Sequence, residues 1–156
     1  MTSGLITRRT AFQVTILAAV TTPFSLVQIG RSYAQGSGAM KIRLSFNNLT
    51  MSATLEDNPS ARDFAAMLPL DDLTIDNYAN NEKISYLPRK LTEDGSGPFD
   101  SERPGDVCYY APWGNLALFY AGYRWSQGLI RLGRIDGSFK PLQARGKFPL
   151  SIKLIR

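Results

Sequence analysis

The chain has 156 residues, 44% of them hydrophobic and 20% charged, enough to bury one core but not two. Its single cysteine excludes a disulfide framework, and the absence of histidine excludes His-based nucleophile pairs, His general bases and the usual zinc hydrolases. The net charge of +5 is unevenly placed: residues 1–34 hold three arginines and no acid, while the remainder sets 15 basic against 13 acidic residues. No basic run there exceeds Arg89-Lys90, so no nucleic-acid partner is expected.

Residues 1–34 read as a cleavable export signal. Thr7-Arg8-Arg9 forms a positive head, residues 11–29 a mild apolar stretch, and Ser32-Tyr33-Ala34 presents small residues at the −3 and −1 positions before Gln35. The adjacent arginines, the apolar core diluted by Gln13, Thr15, Thr21 and Thr22, and Arg31 near the cleavage site point to the twin-arginine route. Pro23 and those polar residues argue against a permanent span, which needs about 20 apolar residues. The expected address is therefore the periplasm, or otherwise outside the cytoplasmic membrane. In such a compartment the unpaired Cys108, set in an apolar run, is expected to be a small core residue rather than a nucleophile.

Residues 35–39 form a short flexible leader, and the domain runs over 40–156. Lys41–Phe46 alternates polar and apolar residues, Asn47-Asn48 tolerates positive φ, and Leu49, Met51, Ala53 and Leu55 continue the alternation, which predicts a hairpin. Asn58-Pro59 caps a helix whose Ala61, Phe64, Ala65 and Leu68 share one face, with Arg62 and Asp63 toward water and Pro69 as terminator. Short strands are predicted at Leu73–Tyr78, Lys83–Leu87, Val107–Ala111, Leu116–Tyr120, Leu129–Ile135, near Ser138–Leu142 and at Leu150–Leu154, with a polar loop over 92–105. Eight or so short strands with one or two short helices make a mainly β chain and suggest a closed or nearly closed antiparallel barrel.

Nucleotide-binding glycine loops are absent, and the adjacent acids Asp71-Asp72 and Glu93-Asp94 read as solvated surface. No cofactor is expected, and no metal site, because the acids lack the spacing of an oxygen-ligand loop. The segment with most chemistry is Cys108–Tyr120. A hairpin turn around Pro112–Asn115 places Trp113 either on a groove wall with Tyr110 and Asn115, or as a plug in one end of the barrel. Trp125, beside Arg124 in a Gly-flanked loop, is a weaker candidate.

The order of these landmarks resembles a known family. The hairpin followed by residues 56–69, together with Glu82–Arg89, Tyr109–Ala117 and Leu132–Asp136, is similar to the small bacterial cyclophilin-like family over about residues 40–156. The resemblance implies an eight-stranded antiparallel cyclophilin-like barrel with reduced helices. In some relatives the domain is joined to a flavodoxin, which implies a flavodoxin-type or other redox partner. Cyclophilin-type prolyl isomerases engage the prolyl amide with an Arg, surrounded by Phe, Met, Gln and a His; this chain has no His, and its Ser85–Arg89 segment does not reproduce their Ser-Phe-His-Arg order. The expected function is binding of a peptide or small ligand in a surface groove, with peptidyl-prolyl isomerisation as the alternative. The candidate groove residues are Tyr86, Arg89, Tyr110, Trp113 and Asn115, which supply aromatic walls, one cation and one amide.

Overall fold

The computed structural model describes residues 38–155; the predicted export segment and most of the leader lie outside the described residues. Eight strands follow in order: β1 (Lys41–Phe46), β2 (Leu49–Leu55), β3 (Leu70–Tyr78), β4 (Glu82–Tyr86), β5 (Asp106–Tyr110), β6 (Asn115–Phe119), β7 (Leu129–Ile135) and β8 (Phe148–Ile155). One helix, α1 (Pro59–Met67), lies between β2 and β3. The strands close into a barrel in the order β1-β2-β7-β5-β6-β4-β3-β8, and every neighbouring pair is antiparallel.

Local sequence explains most of these elements. Asn47 and Asn48 take φ of 48° and 55°, so the β1–β2 turn needs only two residues, and Lys41 to Phe46 pair in unbroken register with Thr54 to Leu49. That register sends Ile42, Leu44 and Phe46 inward beside Met51, Ala53 and Leu55. Asn58 caps α1: its Oδ1 accepts the Ala61 N–H at 2.8 Å, and its Nδ2 donates to the Arg131 carbonyl at 2.9 Å. The cap thereby fastens the helix to β7. Ser60, Ala61, Phe64 and Ala65 are the buried face, and the chain turns extended at Leu68 ahead of Pro69.

One predicted strand is not a strand. Ser138–Leu142 falls in a stretch whose regular part is a 3-10 turn over Lys140–Gln143. Pro141 has no N–H for a ladder and a fixed φ that suits a helical start, and the turn closes with the Leu142 N–H on the Phe139 carbonyl at 2.9 Å. Leu142 drops into the core instead of pairing with a neighbour.

The barrel interior also holds a cation. Lys83 is fully buried, its Nζ donating to Asn77 Oδ1 at 3.1 Å and the Gly146 carbonyl at 3.2 Å, with the Phe148 ring centroid 5.4 Å away. Burial pulls its pKa down, and the nearby Asp76 opposes that shift. At Gly133, β2 and β7 come too close for any side chain. A Cβ there would strike the Thr54 carbonyl oxygen and lie 2.8 Å from Leu55 Cα, both backbone atoms of a paired strand. Gly133→Ala is therefore expected to cost about 3 kcal/mol, the upper part of the range for overpacking. Gly137→Ala meets open space, and only its φ of 76° opposes it, at about 1 kcal/mol. Denaturant unfolding of the two variants checks the contrast.

Candidate functional site

On β4, β6 and β5 successive side chains alternate between the barrel interior and its outer wall. Three rows cross the outer wall: Glu82 beside Phe119; Ile84 beside Ala117 and Cys108; Tyr86 beside Asn115 and Tyr110. Most outward positions of β5 and β6 are buried too. Cys108, Ala117, Phe119 and Leu129 form a second buried cluster, against which Phe99, Tyr110, Tyr123 and Trp125 pack. The segment from Ala121 to Gly128 thus roofs part of this wall. Tyr123 stacks on Phe119 with ring centroids 3.6 Å apart and donates its hydroxyl to Asp106 Oδ2 at 2.7 Å. Trp125 is tied down by Nε1 to the Leu129 carbonyl at 3.0 Å and by its N–H to Glu102 Oε1 at 3.1 Å.

Beside this roof lies a cavity of about 320 Å³, lined among others by Tyr78, Glu82, Tyr110, Trp113, Asn115 and Tyr123. Trp113 sits in the four-residue β5–β6 turn, which closes with the Gly114 N–H on the Tyr110 carbonyl at 2.9 Å while Gly114 takes a φ of 70°. The indole remains 47% exposed and stands outside the barrel, so it plugs neither end. Tyr78 and Tyr110 meet it edge to face, at centroid distances of 5.3 and 5.5 Å.

Two polar groups in this lining are out of balance. Asn115 is buried and donates Nδ2 to the Leu116 carbonyl at 2.8 Å, leaving its buried Oδ1 without a partner among the described residues. Leaving such an acceptor unpaired carries a desolvation cost of about 1–3 kcal/mol. Glu82 has neither a hydrogen bond nor an ion pair among the described residues, and burial alone pushes its carboxyl up to about 7.

Of the five residues predicted for the groove, Tyr110, Trp113 and Asn115 line this cavity and two do not. Tyr86 shares their row but is 59% exposed beyond the cavity edge. Arg89 is directed elsewhere. Its Nη1 and Nη2 grip both Asp63 carboxylate oxygens at 3.0 and 2.6 Å, and Nη1 also donates to the Lys90 carbonyl at 3.0 Å. Asp63, expected toward water, instead takes the Thr92 N–H at 2.8 Å as well, and the Arg89 guanidinium holds its carboxyl below the usual range. The pair clamps the chain after β4 onto α1. Tyr78, Glu82, Tyr123 and Arg124 are among the lining residues that sequence reasoning missed. For Glu82 a signal was present, since it alternates with Ile84 and Tyr86 and must share their face.

Cys108 is buried in the outer cluster, where desolvation raises its thiol to about 12. It is no nucleophile. A larger cavity of about 670 Å³ opens between Lys90–Pro98 and Trp125–Ile130. Four buried polar atoms lack partners among the described residues, on Asn77, Ser85, Asn115 and Tyr120, and none of these belongs to that lining. Of these two cavities, the smaller combines a half-buried, unpaired carboxyl with aromatic walls.

A small closed antiparallel barrel with a groove on its outer wall is thus the class of protein defined by the fold. Residues 44–153 match the model of the cyclophilin-like family, and the chain belongs to that family. A solved structure of a hypothetical protein from Archaeoglobus fulgidus is similar in fold, with a TM-score of 0.60 at 18% identity, covering 76% of this chain and 98% of that one. None of the curated proteins matches the sequence.

Glu82 gives the domain a distinctive pH response. Its folded pKa of about 7 exceeds the ordinary 4.5, so between those values the folded state binds more protons than the unfolded state. The Glu82 contribution to stability is therefore greatest below about pH 4.5 and declines as pH rises to about 7. Glu82→Gln is expected to gain stability relative to wild type as pH rises from 5 to 7.5, checked by denaturant unfolding at several pH values.

Proposed function

We propose that the domain is a binding module that takes a small ligand, or the side chain of a peptide, into the groove beneath Trp113. The observation that carries this reading is a cavity of about 320 Å³ whose lining joins the unpartnered, half-buried Glu82 carboxyl to an exposed indole and two tyrosine rings. A half-buried carboxyl without a partner is costly in the empty site and is satisfied when a ligand supplies donors or a positive charge. No observation favours prolyl isomerisation. Arg89, the cation offered for the prolyl amide, is already bound bidentately to Asp63.

Trp113→Ala tests the groove. Truncating a buried Trp typically costs about 3–5 kcal/mol, whereas this half-exposed indole is expected to cost under about 1.5 kcal/mol while ligand binding falls at least about tenfold. Thermal melts and a small-ligand NMR screen on wild type and variant read both quantities.

We also propose that the domain works outside the cytoplasmic membrane, a reading supported by Arg8-Arg9, the mild apolar stretch and Ser32-Tyr33-Ala34. Mass spectrometry of cell fractions is expected to find a chain starting at Gln35 in the envelope fraction. Uncleaved chain confined to the cytosol would overturn this address.

A further inference from the structure

We propose that the groove is selective for a guanidinium group, held by the Glu82 carboxylate against the Tyr78, Tyr110 and Trp113 rings. This deepens the binding reading above and rests on it.

Glu82 lines the cavity, has no partner among the described residues and, when ionised, only accepts, so its missing partner must bring donors. A half-buried carboxylate without a counter-charge favours a cation over a neutral donor. Tyr78 and Tyr110 set against the Trp113 indole offer π-faces that attract a cation further. A guanidinium meets all three demands: it is planar, carries five N–H donors, stacks on aromatic rings and is more weakly hydrated than an ammonium. The cavity, at about 320 Å³, suits a side-chain-sized group.

The charged and titratable groups that share the cavity with Glu82 are few. Tyr78 faces it from β3, Tyr110 stands on β5, and Tyr123 and Arg124 come from the roofing segment, while β6 contributes only neutral residues. Arg124 is exposed at the rim, and its charge is felt by Glu102 outside the cavity. With no histidine in the chain and a guanidinium that stays charged throughout, Glu82 sets the pH response of binding between 5.5 and 8.

The test titrates the full chain with N-acetyl-arginine methylamide and with its neutral isostere, N-acetyl-citrulline methylamide, following the Trp113 indole signal by NMR. At pH 8 the arginine compound is expected to bind at least about tenfold more tightly, about the contribution of one charge-assisted contact with an aromatic face. That advantage is expected to shrink toward pH 5.5 in wild type and to be absent in Glu82→Gln, whose folding is confirmed by thermal melt. Butylguanidinium distinguishes a free small molecule from a peptide: equal affinity means that the cation alone suffices, and tighter arginine amide means that the flanking amides are read too. Equal binding of the arginine and citrulline compounds at Trp113 overturns the selectivity while the groove stands. An arginine advantage that survives in Glu82→Gln, or does not change with pH, also overturns it. Absence of any Trp113 response to all three compounds overturns both the selectivity and the groove.

Discussion

Strands β5 and β6 are buried on both faces, and much of the architecture follows from that constraint. In an ordinary closed barrel the inward residues are apolar and the outward ones meet water. Here Val107, Tyr109, Leu116 and Leu118 fill the interior, while Cys108, Ala117 and Phe119 on the opposite face are as thoroughly buried. Such a wall requires a second layer, and the chain supplies it from Ala121–Gly128 and Phe99. The roof covers only part of the wall. At its margin the turn bearing Trp113 and the end of β3 bearing Tyr78 rise above uncovered sheet and meet edge to face, and the groove lies beneath them.

The roof is secured by charge as well as by apolar contact. Asp106 is fully buried and accepts Arg134 Nε at 2.5 Å, the Tyr123 hydroxyl at 2.7 Å and the Arg103 N–H at 3.2 Å. Arg131 sends Nε to Glu56 at 2.5 Å and lies over the Phe99 ring at 4.7 Å. These contacts join β5, β7 and the residue that follows β2 to the two segments that form the outer layer. Removing one member would leave another buried charge unpaired, a larger loss than an exposed pair would bring.

Elements specified by neighbouring residues were legible in the sequence, whereas those specified by distant partners were not. The β1–β2 hairpin follows from alternation around Asn47-Asn48, the start of α1 from Asn58-Pro59, and the β5–β6 turn from Pro112 and Gly114. Tyr110, Trp113 and Asn115 cluster because that turn brings them together, and this too is local. Arg89 was misplaced because its partner, Asp63, lies 26 residues earlier on the helix, and nothing in the strand pattern links them. Tyr78, Tyr123 and Arg124 reach the groove through the order β5-β6-β4-β3 and the roofing segment. Alternation states which face a residue occupies but not which strand lies next to it. Ser138–Leu142 failed for another reason: its composition suits a strand, but Pro141 lacks the N–H that a ladder position requires.

Glu82 and Lys83 stand side by side on β4, one in the groove wall and the other in the barrel interior, each with its charged form penalised by burial. A slip of β4 by one residue would exchange their sides. The carboxylate would then face the Asn77 amide oxygen and the Gly146 carbonyl, two acceptors that now receive the Lys83 ammonium, and the lysine would enter an aromatic cleft. Both acceptors would repel the newcomer. This adjacent pair of opposite charges therefore acts as a key that fits its barrel in one alignment only, fixing the strand that carries the groove at the cost of leaving one carboxyl group unpaired.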